Sequence, residues 1–241
     1  MEVKPQIAKE HVVKILEVLQ ETPKIRLLRV ERPKGIGFLA GQFFMVSLHN
    51  SDAKIARAYS LSSSPSNENY LEIGFDKVGE LTTKLFELNV GDKLKFKGPY
   101  GKFFFDEHTA SEVILIGAGT GIAPLMSIIR QCGDKKLKNT IKLIYSVRVP
   151  EEIAYRKELE ERKKHNPHLD YIVTVTRPED TIYEWNGRLG RIDEELLKKT
   201  IVHPAKSIVF ICGAKEFVFG MIEFLQKIGV SKEQIKTDVW G

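Results

Sequence analysis

Near residue 110 the hydrophobic pattern of this chain changes period, and that change divides it into two pieces that no single sheet can hold. Before it, apolar residues alternate with others: Leu71, Ile73 and Phe75 with Glu72 and Gly74, and Leu94 and Phe96 with Lys93, Lys95 and Lys97. A period of two is the pattern of antiparallel strands with one face buried and one wet. Pro23, Pro33, Gly35, Gly37, Gly41, Asn50 and Gly91-Asp92 punctuate the strands. About six strands fit this length, interrupted by one helix over Leu81–Leu88, and the spacing predicts a closed barrel.

From Ser111 the strands become continuous apolar or β-branched runs: Val113–Ile116, Ile141–Tyr145, Tyr171–Val175, Ile208–Cys212 and Ile235–Val239. Helical patterns lie between them, over Ala123–Gln131, Glu151–Lys164, Asp193–Lys199 and Lys215–Gly229. Strand alternating with helix, with strands apolar on both faces, predicts a parallel five-stranded sheet covered by helices on both sides. The expected organisation is therefore two domains. Residues 1–107 form an antiparallel β-barrel of Greek-key type and residues 108–241 an α/β domain, with the hinge near Phe105–Ser111.

Composition narrows the functional classes. The net charge of +5 is spread thinly, and its densest clusters, Lys135-Lys136-x-Lys138 and Arg162-Lys163-Lys164, read as solvated faces rather than a nucleic-acid surface. No apolar run approaches the ~20 residues that span a bilayer. Met1–Pro5 lacks the pattern of a secretory signal, so a cytoplasmic location is expected. With two cysteines, Cys132 and Cys212, the chain cannot itself hold a four-cysteine iron–sulfur cluster or zinc ribbon. None of the six histidines shows metal-ligand spacing, and no metal is expected.

The strand Val113–Ile116 runs directly into Gly117-Ala-Gly-Thr-Gly-Ile-Ala-Pro124. A buried strand, a glycine turn and an apolar helix let a phosphate approach the backbone closely, facing free amide hydrogens and the positive end of the helix dipole. The spacing differs from the usual dinucleotide fingerprint. Gly121 comes one residue early, no acidic residue closes the second strand, and Arg148 stands just beyond it. In open parallel sheets ligands bind beyond the carboxyl ends of the strands, where this chain places Arg148, Thr176-Arg177 and Cys212-Gly213. Two arginines at that edge suit a phosphate monoester such as the 2′-phosphate of NADP; the alternative is pairing with a helix carboxylate such as Glu152 or Glu179.

In the first piece, Arg57-Ala58-Tyr59-Ser60 brings an arginine, a flat ring and a hydroxyl onto one strand. Gly79-Glu-Leu81-Thr82-Thr83 opens a helix, and Gly98-Pro-Tyr-Gly101 makes a turn at the end of the barrel. With Gly117–Pro124 and Cys212-Gly213, these are five motifs in one order. In that order the chain resembles the ferredoxin–NADP reductase superfamily over nearly its whole length.

The resemblance implies a flavin-binding barrel, a NAD(P)-binding α/β domain, and electron transfer between a nicotinamide dinucleotide and a flavin. The flavin would be FAD, with FMN as the alternative, and NADP(H) is favoured over NAD(H). Carried over by motif, Arg57 and Ala58 belong to the flavin strand, with Arg57 on the pyrophosphate. Tyr59 packs against the ring and Ser60 hydrogen-bonds near its reactive nitrogen. Gly79, Leu81, Thr82 and Thr83 hold phosphates, with the Thr82 hydroxyl also capping the helix. Gly119, Thr120, Gly121 and Pro124 line the nicotinamide nucleotide site, and Cys212, followed by Gly213, sits near the nicotinamide. Thr176 and Arg177 fall where NADP-using members place a hydroxyl and an arginine. Arg188 and Arg191 are further candidates for the adenosine phosphate. The chain ends Asp238-Val-Trp240-Gly241, and Trp240 is either an aromatic that stacks on the flavin or the last residue of a packed strand. The implied partner is a ferredoxin, a flavodoxin or the iron–sulfur component of an oxygenase. Release of free reduced flavin and service as a subunit of a larger complex are the alternatives.

Overall fold

The computed structural model describes residues 7–49, 55–108 and 110–240; Met1–Pro5, the Asn50 turn, Thr109 of the hinge and Gly241 lie outside the described residues. The first half forms strands β1 (Lys9–Gln20), β2 (Ile25–Glu31), β3 (Phe43–Leu48), β4 (Arg57–Ser60), β5 (Tyr70–Asp76) and β6 (Lys93–Tyr100), with helix α1 (Glu80–Leu85) between the last two. The strand order is β4-β3-β6-β1-β2-β5, and every pairing is antiparallel. An antiparallel bridge from Leu61 to Ile73 joins the two edges and nearly closes the barrel. Inside pack Ile15, Leu28, Phe44, Ile73, Leu94 and Phe96, the inward members of the alternating pattern. Leu81 and Leu85 close one end from α1.

The second half contains β7 (Glu112–Ala118), α2 (Ile122–Asp134), β8 (Thr140–Val147), α3 (Arg156–His165), β9 (Leu169–Val175), β10 (Arg188–Leu189), α4 (Glu194–Thr200), β11 (Ser207–Ala214), α5 (Lys215–Lys227) and β12 (Ile235–Trp240). They build a parallel sheet of order β10-β9-β8-β7-β11-β12. The five expected strands are present, and the two-residue β10, too short to leave a periodic signal, adds a sixth. The strands are apolar throughout because both faces are covered. Leu115 and Leu143 face α2, whereas Ile114, Ile116 and Val209 face α4 and α5. Helix α3 starts later than the pattern predicts. Pro150–Glu152 form a separate 3₁₀ turn, and Tyr155 takes a left-handed conformation (φ 57°) before the helix begins.

One expectation fails in an informative way. The face of β5 carrying Glu72 was expected to be wet, yet Glu72 is completely buried. Helix α2 of the second domain covers that face, so the alternation reports two different burials rather than core and solvent. The domains also share an apolar cluster in which Leu27, Phe103 and Phe105 pack with Leu125, Tyr155 and Phe210, with the Phe103 and Phe210 rings edge to face at 5.3 Å. Among the described residues, no helix is long and apolar enough to cross a membrane.

Candidate active site

The parallel sheet changes direction between β7 and β11: successive strands step one way through β8 and β9, and the other way through β11 and β12. Loops leaving the two strands beside such a switch part company, which opens a crevice at their carboxyl ends. Here Gly117 of β7 lies opposite Cys212 of β11, and Cys212 lies opposite Asp238 of β12. The glycine turn after β7 packs directly on that row. A Cβ at Gly121 would lie 2.7 Å from the carbonyl carbon of Cys212, so any side chain there would push the turn off β11. Gly121 has ordinary helical angles (φ −61°), so closeness and not conformation demands glycine there. Gly119 is the conformational glycine, with φ +54°, and the buried Tyr145 hydroxyl donates to its carbonyl at 3.0 Å.

The barrel faces this crevice with β4 and the end of β5, leaving a cleft of about 740 Å³, within the few hundred to a thousand Å³ usual for cofactor sites. Arg57, Ala58, Tyr59, Ser60, Gly79, Leu81 and Thr82 line it from the barrel; Thr120, Pro124, Cys212 and Trp240 line it from the sheet. The structure thus brings together residues separated by most of the chain. Thr83, Gly119, Gly121 and Gly213 are absent from the lining; Gly121 and Gly213 are buried behind it, Gly213 against the Phe217 ring.

At the floor of the cleft, Ser60 Oγ donates to Asp238 Oδ2 at 2.9 Å, and Cys212 Sγ lies 3.8 Å from the same oxygen. Burial raises the Asp238 carboxyl above its ordinary range, against the opposing hydrogen bonds from Ser60 and Cys212. Burial, then the nearby Asp238 carboxylate, pushes the Cys212 thiol well up, so it is a protonated group and not a thiolate. Asp238 is the residue that motif reasoning missed. The usable signal was alternation in β12, which places it on the same face as Trp240. Trp240 ends β12 opposite Ala214, and its half-exposed side chain lines the cleft.

Tyr59 is half-buried, edge-on to Phe75 at 5.9 Å, and burial pushes its hydroxyl up to about 12. The Thr82 hydroxyl does cap α1, but from the third residue backward: it accepts from Gly79 N–H at 2.9 Å and Val78 N–H at 3.0 Å. Nothing lies within 4 Å of where a Gly79 Cβ would stand, so the approach to the first turn is open. Arg57 is exposed, its guanidinium 3.0 Å from the Ala56 carbonyl. An arginine at the mouth, an open helix start, a tyrosine ring and a hydroxyl–carboxylate pair at the floor together fit a flat heterocycle carrying a phosphate chain.

The arginines beyond the neighbouring strands divide. Arg148 is held by Glu152 through two contacts at 3.0 and 3.1 Å, the carboxylate pairing weighed as its alternative. Arg177 keeps only a loose 3.8 Å contact with Asp180 and is 57% exposed. Thr176 turns its hydroxyl onto the Val147 carbonyl at 3.1 Å. Arg188 is bound to Asp193 at 2.5 Å and to the Arg191 carbonyl, a latch for the loop before α4; Arg191 is exposed.

Comparison with known proteins agrees with this geometry. The family described as "Oxidoreductase FAD-binding domain" matches residues 10–105, and "Oxidoreductase NAD-binding domain" matches residues 115–227. The chain is 32% identical over 235 residues to the sulfhydrogenase 1 subunit gamma of Pyrococcus furiosus, covering 93% of this chain and 77% of that one. It is 26% identical over 236 residues to the glycine betaine monooxygenase reductase subunit of Chromohalobacter salexigens, covering 96% of this chain but 64% of that one. It spans about half the length of several further relatives. Among solved structures, a ferredoxin NADP+ reductase from Neisseria gonorrhoeae with bound FAD and NADP superposes with a TM-score of 0.83 at 26% identity, covering 96% of this chain and 98% of that one. Barrel, switch-point crevice and both domain matches occur in one order along one chain, and the chain belongs to the ferredoxin–NADP reductase superfamily of FAD- and NAD(P)-binding oxidoreductases.

Proposed function

We propose that this chain oxidises NADPH through FAD held in the cleft and hands the electrons to a protein acceptor: a ferredoxin, a flavodoxin or the iron–sulfur component of an oxygenase. The division of labour follows the expected boundaries, residues 1–107 for the flavin and 108–241 for the nucleotide. When bound, the flavin takes a hydride from reduced nicotinamide and releases electrons singly or in pairs; the protein supplies distance, orientation and hydrogen bonding. Arg57 holds the pyrophosphate, and the backbone from Gly79 through Thr83 receives the phosphate chain at the start of α1. Tyr59 packs on the ring, and Trp240 covers it from the opposite domain. Thr120 and Pro124, backed by Gly119 and Gly121, seat the nicotinamide nucleotide. Ser60, Cys212 and Asp238, which meet at the cleft floor, would orient the flavin and the nicotinamide there. The observation that carries this reading is the Ser60–Asp238 hydrogen bond, which joins the flavin strand to the last strand of the nucleotide domain at the floor of one cleft.

The preference for NADPH rests on Arg177, the exposed arginine beside Thr176, because Arg148 is engaged with Glu152. A cytoplasmic location fits two buried, unpaired cysteines. A second reading, a subunit of a larger electron-transfer complex, is favoured by the 32% identity to a protein named as a hydrogenase subunit. An anaerobic visible spectrum, titrated with NADPH and then NADH, tests the proposal. Flavin absorbance should bleach, faster with NADPH. Failure of the full chain to retain FAD or FMN removes the cleft assignment. A bound flavin that neither nucleotide reduces leaves the subunit reading in possession.

A further inference from the structure

A second cluster of charge lies outside the cleft, at the seam between the domains, and no step of the proposed reaction uses it. The Arg130 guanidinium, 6% exposed, donates to Glu72 Oε1 at 2.6 Å and to the Ser62 carbonyl at 2.9 Å. Its other edge is bidentate on Glu158, at 2.8 and 2.6 Å. Glu72 is completely buried and also accepts from Arg29 at 2.8 Å and Ser62 Oγ at 2.7 Å. Its backbone N–H donates to Ser63 Oγ at 3.0 Å. The Tyr155 ring lies 5.2 Å beneath the guanidinium, and the Tyr155 N–H is anchored to Glu21, the residue after β1, at 2.6 Å. Three further bonds join the same surfaces: Ser127 Oγ donates to the Ser63 carbonyl at 2.7 Å, and the Gln131 carboxamide accepts from Ser66 Oγ at 3.0 Å and from Ser64 Oγ at 3.3 Å.

The placement gives this network a consequence. Pro124, which lines the cleft from the first turn of α2, is followed along the helix by Ser127 about one turn on and by Arg130 and Gln131 about two turns on. Gly74 and Asp76, which also line the cleft, continue β5 from Glu72, two and four residues away. Segment 62–66 follows immediately on Arg57–Ser60. Helix α2, strand β5 and segment 62–66 each touch the network and lead to a wall of the cleft, with Arg130 about 9 Å along α2 from Pro124. The seam is otherwise mostly apolar, with the Lys24–Glu152 ion pair and the Ser60–Asp238 hydrogen bond as its other directional contacts. The network is directional, and a buried ion cluster contributes more to register than to net stability.

We propose that Arg130 is a positioning residue: by fixing the register of α2 on β5 and segment 62–66, it sets the separation between the flavin side and the nicotinamide side of the cleft. The inference rests on the flavin–nicotinamide reading of that cleft. It requires that the domains work as one body whose seam stays closed through turnover.

The test uses the full chain loaded with FAD, in wild type, Arg130→Lys, Glu72→Gln and the milder Ser127→Ala. Flavin content, nucleotide dissociation constant and limiting rate of flavin reduction are measured separately. Bleaching of the wild type is the control for the underlying reading: its failure sinks that reading, and the proposal with it. If the wild type bleaches, Arg130→Lys and Glu72→Gln should keep flavin and nucleotide affinity while reduction slows by between about tenfold and a hundredfold. Ser127→Ala, which removes one hydrogen bond and no charge, should show the same split more weakly and serves where the charge variants do not fold. A second readout needs no cofactor. In the flavin-free full chain, hydrogen exchange in α2 and in residues 62–66 should accelerate together in the Arg130 variant. Reduction at the wild-type rate per bound flavin, or faster exchange in α2 with none in 62–66, overturns the proposal.

Discussion

Replacing Gly121 with alanine tests whether the nicotinamide side of the cleft depends on the glycine turn lying directly on β11. A Cβ there falls 2.7 Å from the Cys212 carbonyl carbon and 3.1 Å from Gly213 N, and closer still to the Cys212 oxygen. Both obstacles are backbone in a central strand, so the turn must move instead. Reaching ordinary contact, 3.4 Å or more, takes a displacement of about 1 Å. Helical angles at residue 121 suit alanine, so the cost is steric alone: about 1–3 kcal/mol of stability. Moving Thr120 and Pro124 by about 1 Å against Ser60 should cost about a hundredfold in the rate of flavin reduction. Stopped-flow bleaching under saturating nucleotide measures that rate, and flavin content should be unchanged because the barrel is untouched. A folded Gly121→Ala protein that reduces its flavin at the wild-type rate would refute the claim that the turn's seat on β11 sets the reaction geometry.

Other expectations follow from single contacts. Arg57→Ala should weaken flavin retention by about ten- to a hundredfold, the loss of one charge-assisted phosphate contact; a variant that purifies fully yellow and holds its flavin on dialysis contradicts the clamp. Arg177→Ala should raise the Michaelis constant for NADPH and spare NADH, and an equal effect on both removes the case for NADP. Asp238→Asn should slow flavin reduction yet raise the melting temperature at neutral pH. The Asp238 carboxyl is raised in the fold, so it stabilises the fold relative to its charged state at low pH, and that gain is lost as pH rises through the raised value. Glu158 has the opposite sign. Burial opposes its charge, but Arg130 and Arg162 win and hold it at about 2 against an ordinary 4.5. The shift is worth about 3 kcal/mol above pH 4.5, and screening at a side chain 30% exposed cuts that to about 1–2 kcal/mol. The stability gap between wild type and Glu158→Gln should therefore close as pH falls from about 4.5 to 2; a constant gap argues against ionic anchoring.

Much of the architecture was legible before any coordinates. Period-two alternation, then continuous apolar strands separated by helices, follows from whether a strand is covered on one face or two. That is a local property of the chain. The strand–turn–helix at Val113–Pro124 carried its own need for glycine, which Gly119 answers by backbone angle and Gly121 by its closeness to β11. The helix expected over Leu81–Leu88, found at Glu80–Leu85, and the start of α4 at Asp193, whose side chain accepts from Leu196 N–H at 2.9 Å, were equally local.

What escaped was set by distant partners. Glu72 reads as a wet strand residue until α2 lies over it, where Arg130 meets it from 58 positions away. Arg148 is the local exception: its partner Glu152 stands only four residues on, and the pairing was already open in the sequence. Asp238 stands 178 positions from Ser60, and nothing in either neighbourhood announces the hydrogen bond between them. The sequence by itself determined which segments are strands, which are helices, and which turns need glycine, because periodicity and glycine act over a few residues. The tertiary structure alone decided which charges are neutralised and which groups share the cleft floor. Those outcomes depend on how the two domains are seated, and that seating is written in contacts between residues far apart along the chain.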